Sequence, residues 1–337
     1  MLKGVSIKPN RTSAHTSKPL TNLMVAHYQS DQAFIADKVF PTVPVSRSTD
    51  LYYEIPRGAM NRHQVQERAR GAKPTLGGFD YNKKTYSCDI YALKVGLTDE
   101  DDTDFDEMIQ WDTEATSFLA LQVKLNREIT WNEKFFKTGV WGTDVTGVNT
   151  GVPTANQFLQ WNDDASDPIA DIKRQKVEML RKTGFMPNVL TLPYEVYNVL
   201  TEHPDIIDRI KYGQTPNGPA IISKAALAQL FDVDEILVGY AIKNDANERI
   251  DDREGNNDNH DFIMEKGALL TYRPTVVGKR TPSAGYNFCW KVYSDLGFRM
   301  RTYRGDEELT DFRIMDDAYD QNLVSADLGV YYDQVIG

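Results

Sequence analysis

The densest cluster of potential metal ligands is a run of acids in TDEDDTDFDE, residues 98–107. Its Asp-x-Asp-x-Asp pattern at 102–106 resembles the start of an EF-hand calcium loop, in which carboxylates alternate along the chain. That loop also needs glycine at its sixth position and glutamate at its twelfth, and this sequence has Glu107 and Thr113 there. The mismatch favours a solvated or salt-bridged acidic helix start over a metal site.

No other set of reactive side chains has the spacing of a catalytic or metal site. The five histidines lack the His-Glu-x-x-His spacing, and Cys88 and Cys289 lie too far apart to form a Cys-x-x-Cys pair. There is no Gly-x-Ser-x-Gly elbow, and Gly278-Lys279 lacks the upstream glycine of a phosphate-binding loop. The sequence therefore predicts no enzyme, no metal and no cofactor. Its cysteines fit buried free thiols of a reducing compartment.

The most basic stretch is RGAMNRHQVQERARGAKPTLGG, residues 57–78, in a chain whose formal net charge is −11. Binding of nucleic acid would want aromatic side chains among the bases, and this stretch has none. Opposite charge lies elsewhere: residues 98–116 hold nine acids and no base, and residues 305–320 hold seven acids and one base. We expect the basic stretch to meet carboxylates of a neighbouring subunit rather than phosphates. The alternative is a solvated flap.

Two strand-like runs flank the basic stretch and predict the strands that hold it, and the second of them alternates with a period of two. The first is YYEIP at 52–56, and the second is KTYSCDIYALKVGL at 84–97. Together they predict an extended hairpin with a long polar tip that has little apolar surface. An isolated two-stranded ribbon is marginal in water, so the hairpin must lie on something.

A long amphipathic helix follows, and then an α/β unit. Phe118, Leu121, Leu125 and Ile129 recur at helical spacing, which predicts a helix from about 105 to 136, capped near Thr103 or Asp104. From 166 the pattern is helix, strand, helix, helix, strand, with Pro168 opening the first helix, Gly184 ending it and Ser223 capping the third. A single helix is predicted from Pro193 through PYEVYNVLTEHPDIIDRI. The chain from 286 is rich in strand patterns: FCWKVY, GFRMRTYRG and VSADLGVYYDQVI.

In this order the pieces resemble the major capsid protein of tailed double-stranded DNA bacteriophages, whose Hong Kong 97-type fold encapsulins share. The segments that carry the resemblance are ADKVFPTVPV (36–45), RARG (68–71), KTGFMPNVLTLPYEVYNVLTEHPDI (182–206) and LAQLFDVDEILVGYA (227–241). The resemblance implies an α+β fold in five parts: an N-terminal arm (1–48), an extended loop hairpin (49–97), a peripheral domain with the spine helix (98–165), an axial α/β domain (166–285) and return strands of the peripheral domain (286–337).

The resemblance also implies a function and its partners. The chain is expected to be a structural protein that assembles with itself into hexamers and pentamers of an icosahedral phage head. That head encloses double-stranded DNA without sequence-specific binding, and it is built in the host bacterial cytoplasm and found in the virion. Scaffolding, portal and decoration proteins are possible partners. An internal scaffolding segment is expected to be absent, which implies a separate scaffolding protein or none. Nothing in the sequence marks a lysine–asparagine cross-link, and no membrane segment is predicted.

Three alternatives remain open from the sequence: an encapsulin-like compartment, an α/β enzyme without a recognisable motif, and a tail or connector component. The hypothesis of a shell places the basic loop of one copy on the acids of the next. The predicted inter-subunit bases are Arg57, Arg62, Arg68, Arg70 and Lys73. The predicted receiving acids are Asp101, Asp102, Asp104 and Asp106.

Overall fold

The computed structural model describes residues 29–54, 57–100, 111–213, 222–246, 259–277 and 281–337. Two main sheets are joined by one long helix, and a short arm packs along that helix. Within these residues, no helix combines the length and the apolar character that crossing a bilayer requires.

The helices divide into one long helix and several short ones. In chain order they are α1 (Ala36–Val39), α2 (Arg57–Met60), α3 (Trp111–Phe135), α4 (Pro168–Thr183), α5 (Tyr194–Glu202), α6 (Pro204–Gly213) and α7 (Lys224–Phe231).

The strands form two main sheets and two separate hairpins. In chain order they are β1 (Thr42–Val45), β2 (Thr49–Glu54), β3 (Asn82–Ser87), β4 (Asp89–Thr98), β5 (Thr143–Val148), β6 (Gln157–Leu159), β7 (Val189–Pro193), β8 (Glu235–Gly239), β9 (Ile242–Asn244), β10 (His260–Phe262), β11 (Ala268–Thr271), β12 (Gly285–Trp290), β13 (Phe298–Gly305), β14 (Thr310–Leu323) and β15 (Gly329–Asp333).

The α/β unit is built on a six-stranded sheet in the order β6-β5-β15-β11-β7-β8. Its predicted helix ends are confirmed. Asp167 and Pro168 begin α4, Gly184 ends it with a φ of 79°, and the Ser223 hydroxyl accepts from the Ala226 N–H at the start of α7. The two predicted buried strands are confirmed as β7 and β8, and β7 is buried at every position. Apolar side chains of α4 to α7 pack on this sheet as the largest core cluster.

The predicted spine helix is confirmed as α3 over its described length, 25 residues or about 37 Å. Its predicted start at Thr103 or Asp104 lies outside the described residues. Leu121, Leu125 and Ile129 pack against Ala33 and Phe34 of the arm. Three of the four residues of the predicted apolar stripe therefore contact the arm, whereas the fourth, Phe118, is 42% exposed.

The second main sheet carries the longest strand of the described residues, β14. Its residues 310–317 pair with β13 on one edge and with β4 on the other, both antiparallel. Beyond residue 317, β12 replaces β13 as the antiparallel partner of β14, along residues 319–323. The other edge of β12 pairs in parallel with β1. Buried side chains of β14 face α3: Arg127 bonds Asp317, and Asn126 bonds Tyr319.

The sequence misses one strand of the fold and assigns two other elements wrongly in detail. β14 was not predicted, because its acids broke the alternation of apolar residues. The run at 84–97 is not one strand, because it changes partners at Cys88: β3 pairs with β2, and β4 pairs with β14. The helix predicted from Pro193 is two helices, because Pro204 disfavours helical backbone at His203, which is extended with a ψ of 127°.

The sheets cut across the predicted division into five parts. The six-stranded sheet takes β5 and β6 from the segment 98–165 and β15 from the segment 286–337, besides its strands from 166–285. Pairing between strands far apart in sequence sets this membership, and no local pattern reports it. The five-part division by residue number stays a prediction.

A buried carboxylate fixes the arm to the spine helix. Glu128 is 1% exposed, and its Oε2 accepts from the N–H groups of Ile35 and Ala36 at 2.9 and 2.8 Å, at the start of α1. Its Oε1 has no hydrogen-bond partner among the described residues. Burial raises the pKa of Glu128 to about 7, against the lowering effect of the two N–H donors. Asp37 and Lys38 are the nearby charges, with opposite effects.

This carboxylate predicts a pH-dependent stability. The folded pKa lies above the 4.5 of an ordinary glutamate, so the folded chain binds the extra proton between about pH 4.5 and 7. The contribution of Glu128 to the free energy of unfolding is therefore fully present below pH 4.5. It is lost as the pH rises to 7, by roughly 3 kcal/mol. Glu128→Gln should remove that slope in urea unfolding at pH 5 to 8. Glu133→Gln, an exposed site on the same helix, should keep it. Identical slopes in all three proteins would contradict the assignment.

Candidate functional site: the extended loop and the acidic end

The base of the predicted hairpin, β2 and β3, is held on the body by aromatic packing. The Tyr86 ring stacks on Phe288 with centroids 4.7 Å apart, and Tyr52 packs on the same ring at 5.5 Å. The Lys84 ammonium donates to the Val324 carbonyl at 2.9 Å and pairs with Glu54 at 2.9 Å. The Ser87 N–H donates to Asp320. These contacts fix where the hairpin leaves the body.

The extended loop, residues 57–81, makes its hydrogen bonds with itself. The Gln64 amide donates to the Gly78 carbonyl and accepts from the Gly78 N–H, at 3.0 and 3.1 Å, which ties the two arms together. Arg68 closes the tip on the Ala72 carbonyl at 2.6 Å, where Gly71 has a φ of 81°. Between 58 and 83 every described side chain except Gln64 is exposed. The loop therefore has a defined shape and no partner surface within the described part of its own chain.

The structure places the predicted inter-subunit bases on this loop. Arg62, Arg68, Arg70 and Lys73 are exposed, and none forms an ion pair with a residue that the structure describes. The side chain of Arg57 lies outside the described part. The arginines of the second sheet differ, because Arg299, Arg301 and Arg304 are all paired with aspartates. The loop bases keep their charge free for another molecule.

The prediction that the loop has little apolar surface was wrong. Leu76 is 97% exposed and Val65 78%, and Met60 and Phe79 are each 62% exposed. Met60, Val65 and Phe79 line a shallow groove whose floor includes Gly77 and Gly78. These residues are scattered in sequence without a period, so no pattern marked them as one surface. The loop thus offers apolar contact as well as charge.

The predicted receiving acids Asp101, Asp102, Asp104 and Asp106 lie outside the described residues. Their neighbours show where that segment starts. β4 ends at Thr98 opposite Thr310, and the Asp99 N–H donates to the Leu309 carbonyl at 3.0 Å. The two acidic stretches found in the sequence therefore meet at one end of the second sheet. We call residues 98–100 and 305–311 the acidic end.

The acidic end carries six carboxylates around one arginine. Arg304 donates to Asp99 at 2.6 and 2.7 Å and to Asp311 at 3.1 Å, and these hydrogen bonds hold the pKa of Asp99 below its usual range. The exposed acids include Asp306, Glu307 and Glu308 of the turn between β13 and β14. The surface has the sign of charge that the loop bases would need in a partner.

Other acids of 305–320 are not available for such contacts. Asp316 is 2% exposed and binds Arg301 through two hydrogen bonds of 2.6 and 2.8 Å. Asp317 is 1% exposed and forms a forked pair with Arg127 at 2.5 and 2.8 Å. The interpretation of the whole stretch 305–320 as a docking surface was therefore wrong for these two residues, because each is buried against an arginine, Asp316 against Arg301 of β13 and Asp317 against Arg127 of α3.

The described residues contain no group of three or more histidine, cysteine or acidic side chains arranged to hold a metal ion. Cys88 and Cys289 are buried free thiols, as the sequence predicts. Burial raises the pKa of each to about 12, so neither has the thiolate character of a nucleophile at neutral pH.

Comparison with known proteins agrees with this architecture. No protein-family model matches the chain. In sequence it is 23% identical over 275 residues to a protein named major capsid protein, from Burkholderia phage BcepMu, covering 79% of this chain and 81% of that one.

Solved structures show the same fold. A phage-related protein of Bordetella bronchiseptica matches with a TM-score of 0.66 and 20% identity, over 91% of this chain and 93% of its own. The capsid of cyanophage P-SCSP1u matches at 0.60 and 9%, over 95% and 92%. The SrpI encapsulin of Synechococcus elongatus matches at 0.53 and 12%, over 95% of each. The chain has the Hong Kong 97-type fold of phage capsids and encapsulins, and the predicted α+β fold is confirmed.

Proposed function

We propose that this chain, which has the Hong Kong 97-type capsid fold, is the major capsid protein of a tailed phage. Copies of it assemble into hexamers and pentamers of an icosahedral head that encloses double-stranded DNA. The role is structural, and no side chain acts catalytically. Assembly takes place in the cytoplasm of the host bacterium, and scaffolding, portal and decoration proteins are further partners. The net charge of −11 suits a wall that does not retain the genome electrostatically.

One observation carries the proposal. The extended loop keeps a defined shape, yet its described bases and large apolar side chains are exposed, and among the described residues its side-chain hydrogen bonds stay within the loop. A loop of this composition gains stability only when another surface covers it. In a closed shell each copy supplies that surface for a neighbour, so the contact is repeated at every subunit. The hairpin base, packed on Phe288, sets the direction in which the loop reaches.

Size and shape of the purified protein test the proposal. Expressed alone or with its neighbouring gene products, the chain should elute as capsomers or as particles of megadalton mass. Electron microscopy should show closed shells of uniform diameter. A small discrete oligomer at every concentration, with no particles in either preparation, would mean that the chain is not a shell protein.

An encapsulin-like compartment is the second candidate, supported by the likeness to the SrpI encapsulin. It makes the same kind of shell and differs in what the shell contains. Particles purified from the native host should hold double-stranded DNA if the chain is a phage capsid protein. Particles that hold a defined protein cargo and no genome would favour the compartment.

The loop charges predict how fast assembly proceeds. Replacing Arg62, Arg68, Arg70 and Lys73 together by glutamine should slow particle formation several-fold at low salt, because these charges steer encounter more than they add affinity. The difference should shrink as salt rises, since exposed charges are screened. Light scattering measures both. A control variant with four exposed lysines elsewhere replaced by glutamine, Lys134, Lys137, Lys173 and Lys211, should assemble at the wild-type rate. If both variants assembled equally slowly, the loop charges would have no specific role in assembly.

A further inference from the structure

The turn between β13 and β14 presents an exposed apolar side chain that belongs to none of the core clusters of the described residues. Leu309 is 56% exposed and has a φ of 45°, a left-handed conformation that glycine or asparagine adopts more readily than leucine. It lies directly after three exposed acids of the turn, residues 306–308. The left-handed backbone at this position disfavours leucine, and the exposed side chain does not pack in the core. Its role is therefore to be sought outside its own subunit.

The extended loop has a matching concave surface. Its groove is lined by the apolar side chains of Met60, Val65 and Phe79 together with Arg62. The two hydrogen bonds between Gln64 and Gly78 tie the arms of the loop together at the groove, and a Cβ at Gly77 would lie 2.8 Å from Gln64 Oε1. The groove is thus a preformed feature of the loop, with apolar side chains and one positive charge in its lining.

Within one subunit, Leu309 and the base of the hairpin lie at opposite ends of β14. The hairpin base is held where Ser87 donates to Asp320, near the far end of β14, and Leu309 precedes the first residue of that strand, Thr310. Ten residues of extended strand separate Thr310 from Asp320, which is about 33 Å. Within the chain, every described hydrogen bond of residues 58–80 stays inside the loop. Among the described residues, no hydrogen bond of the loop reaches the turn that carries Leu309.

We infer that Leu309 of one copy seats in the loop groove of a second copy, with Arg62 facing Glu307 and Glu308 of the turn. The inference rests on the proposed function and names the partner surface of the loop. Apolar burial of Leu309 supplies the affinity, and the opposite charges set the register. The strained turn holds the leucine outward before contact, so little conformational entropy is lost on docking.

A cysteine pair tests the contact in the full chain. Phe79→Cys combined with Leu309→Cys should, under mild oxidation of assembled particles, give a ladder of covalent oligomers on a non-reducing gel. The ladder should collapse when reductant is added. The native thiols do not interfere, because both are buried. Phe79→Cys combined with Val152→Cys is the matched control, since Val152 is also exposed but lies on another loop. A ladder no stronger than that of the control, or a cross-link confined to monomers, overturns the inference.

A second variant separates docking from folding. Leu309→Gly suits the left-handed backbone, so the chain should fold at least as stably as wild type. The concentration at which particles appear should nevertheless rise at least about tenfold, the expected effect of losing one buried leucine side chain. Val152→Gly should leave that concentration unchanged. Wild-type behaviour of Leu309→Gly overturns the inference while the shell function stands. A wild-type chain that never forms particles overturns the function itself.

Discussion

A chain from which residues 58–80 are deleted should fold and fail to form shells. The deletion leaves residues 55–57 and 81 to join β2 to β3, and a four-residue connection is common in hairpins. The hairpin base should persist because its contacts, Tyr86 and Tyr52 on Phe288, lie outside the deletion. Circular dichroism and urea unfolding should therefore resemble those of the wild-type chain.

The loss of assembly follows from the area that each copy can no longer bury. Met60, Val65, Leu76 and Phe79 are all removed, and each contributes roughly 1.5–3 kcal/mol when fully buried. Even partial burial of the four side chains stabilises each contact by about 4 kcal/mol. Its loss raises the dissociation constant of that contact about a thousandfold. The exposed charges add about 0–1 kcal/mol per pair at most.

Size-exclusion chromatography and electron microscopy measure the outcome. A matched control carries a shuffled order of residues 58–80, which keeps length and net charge but destroys the groove and the Gln64–Gly78 bracket. That control should also fail. If the deleted chain formed normal particles, the loop would have no part in assembly, even with the shell function intact.

Arg127→Met should destabilise the chain by about 3–5 kcal/mol, the largest effect expected of any single substitution considered for this fold. Arg127 is 3% exposed and forms a forked pair with Asp317 at 2.5 and 2.8 Å. It also donates to the Leu296 carbonyl at 2.7 Å and to Asp37 at 3.2 Å. One guanidinium thus joins α3, β14, the loop before β13 and the arm. Its removal leaves Asp317 buried without a counter-charge.

The pH dependence of this loss identifies its cause. Burial raises the pKa of Asp317 above its usual range, and Arg127 opposes that rise. Without Arg127 the pKa of Asp317 rises further, so at low pH the variant folds with a neutral Asp317. At higher pH the folded variant must either bury an uncompensated carboxylate or keep Asp317 protonated, and both cost stability. A raised folded pKa gives stability that is present at low pH and lost as the pH rises. The deficit relative to wild type should be smaller at pH 5 than at pH 8.

Urea unfolding, carried out below the concentration at which particles form, measures the deficit. Arg127→Met combined with Asp317→Leu should recover much of it, because an apolar pair replaces the ion pair. Arg181→Met removes an exposed arginine that pairs with Glu178 within α4, and it should cost less than about 1 kcal/mol. A deficit in Arg127→Met that is no larger than in Arg181→Met would show that the buried pair does not stabilise the fold.

The candidate site was only partly predictable from the sequence. The bases of 57–78 were visible because charge is a property of composition, and they are exposed in the structure where described. The groove of Met60, Val65 and Phe79 was not visible, since its walls come from two arms tied by Gln64 and no period connects them. The acidic end was visible as two stretches, but only the pairing of β4 with β14 brings Asp99 beside Asp311.

Burial of acids was the least predictable feature. In the sequence, Asp316 and Asp317 have the pattern of a solvated surface, because a carboxylate is buried only when another group compensates its charge. The compensating groups are Arg301 and Arg127, and the second lies 190 residues away along the chain. Acids likewise interrupt the apolar alternation of β14, so only its pairing with β4, β12 and β13 identifies it as a strand.

By itself the sequence determined the local elements: the ends of α4 at Pro168 and Gly184, the cap of α7 at Ser223, the buried strands β7 and β8, and the apolar stripe of α3. Each depends on interactions within a few residues, such as a missing N–H, a left-handed glycine or a helical period. The tertiary structure alone decided which strands share a sheet, which acids are buried and which side chains the loop leaves uncovered. Those outcomes depend on contacts between segments separated along the chain, by 15 residues for Arg301 and Asp316 and by 190 for Arg127 and Asp317, and local patterns carry no record of such contacts.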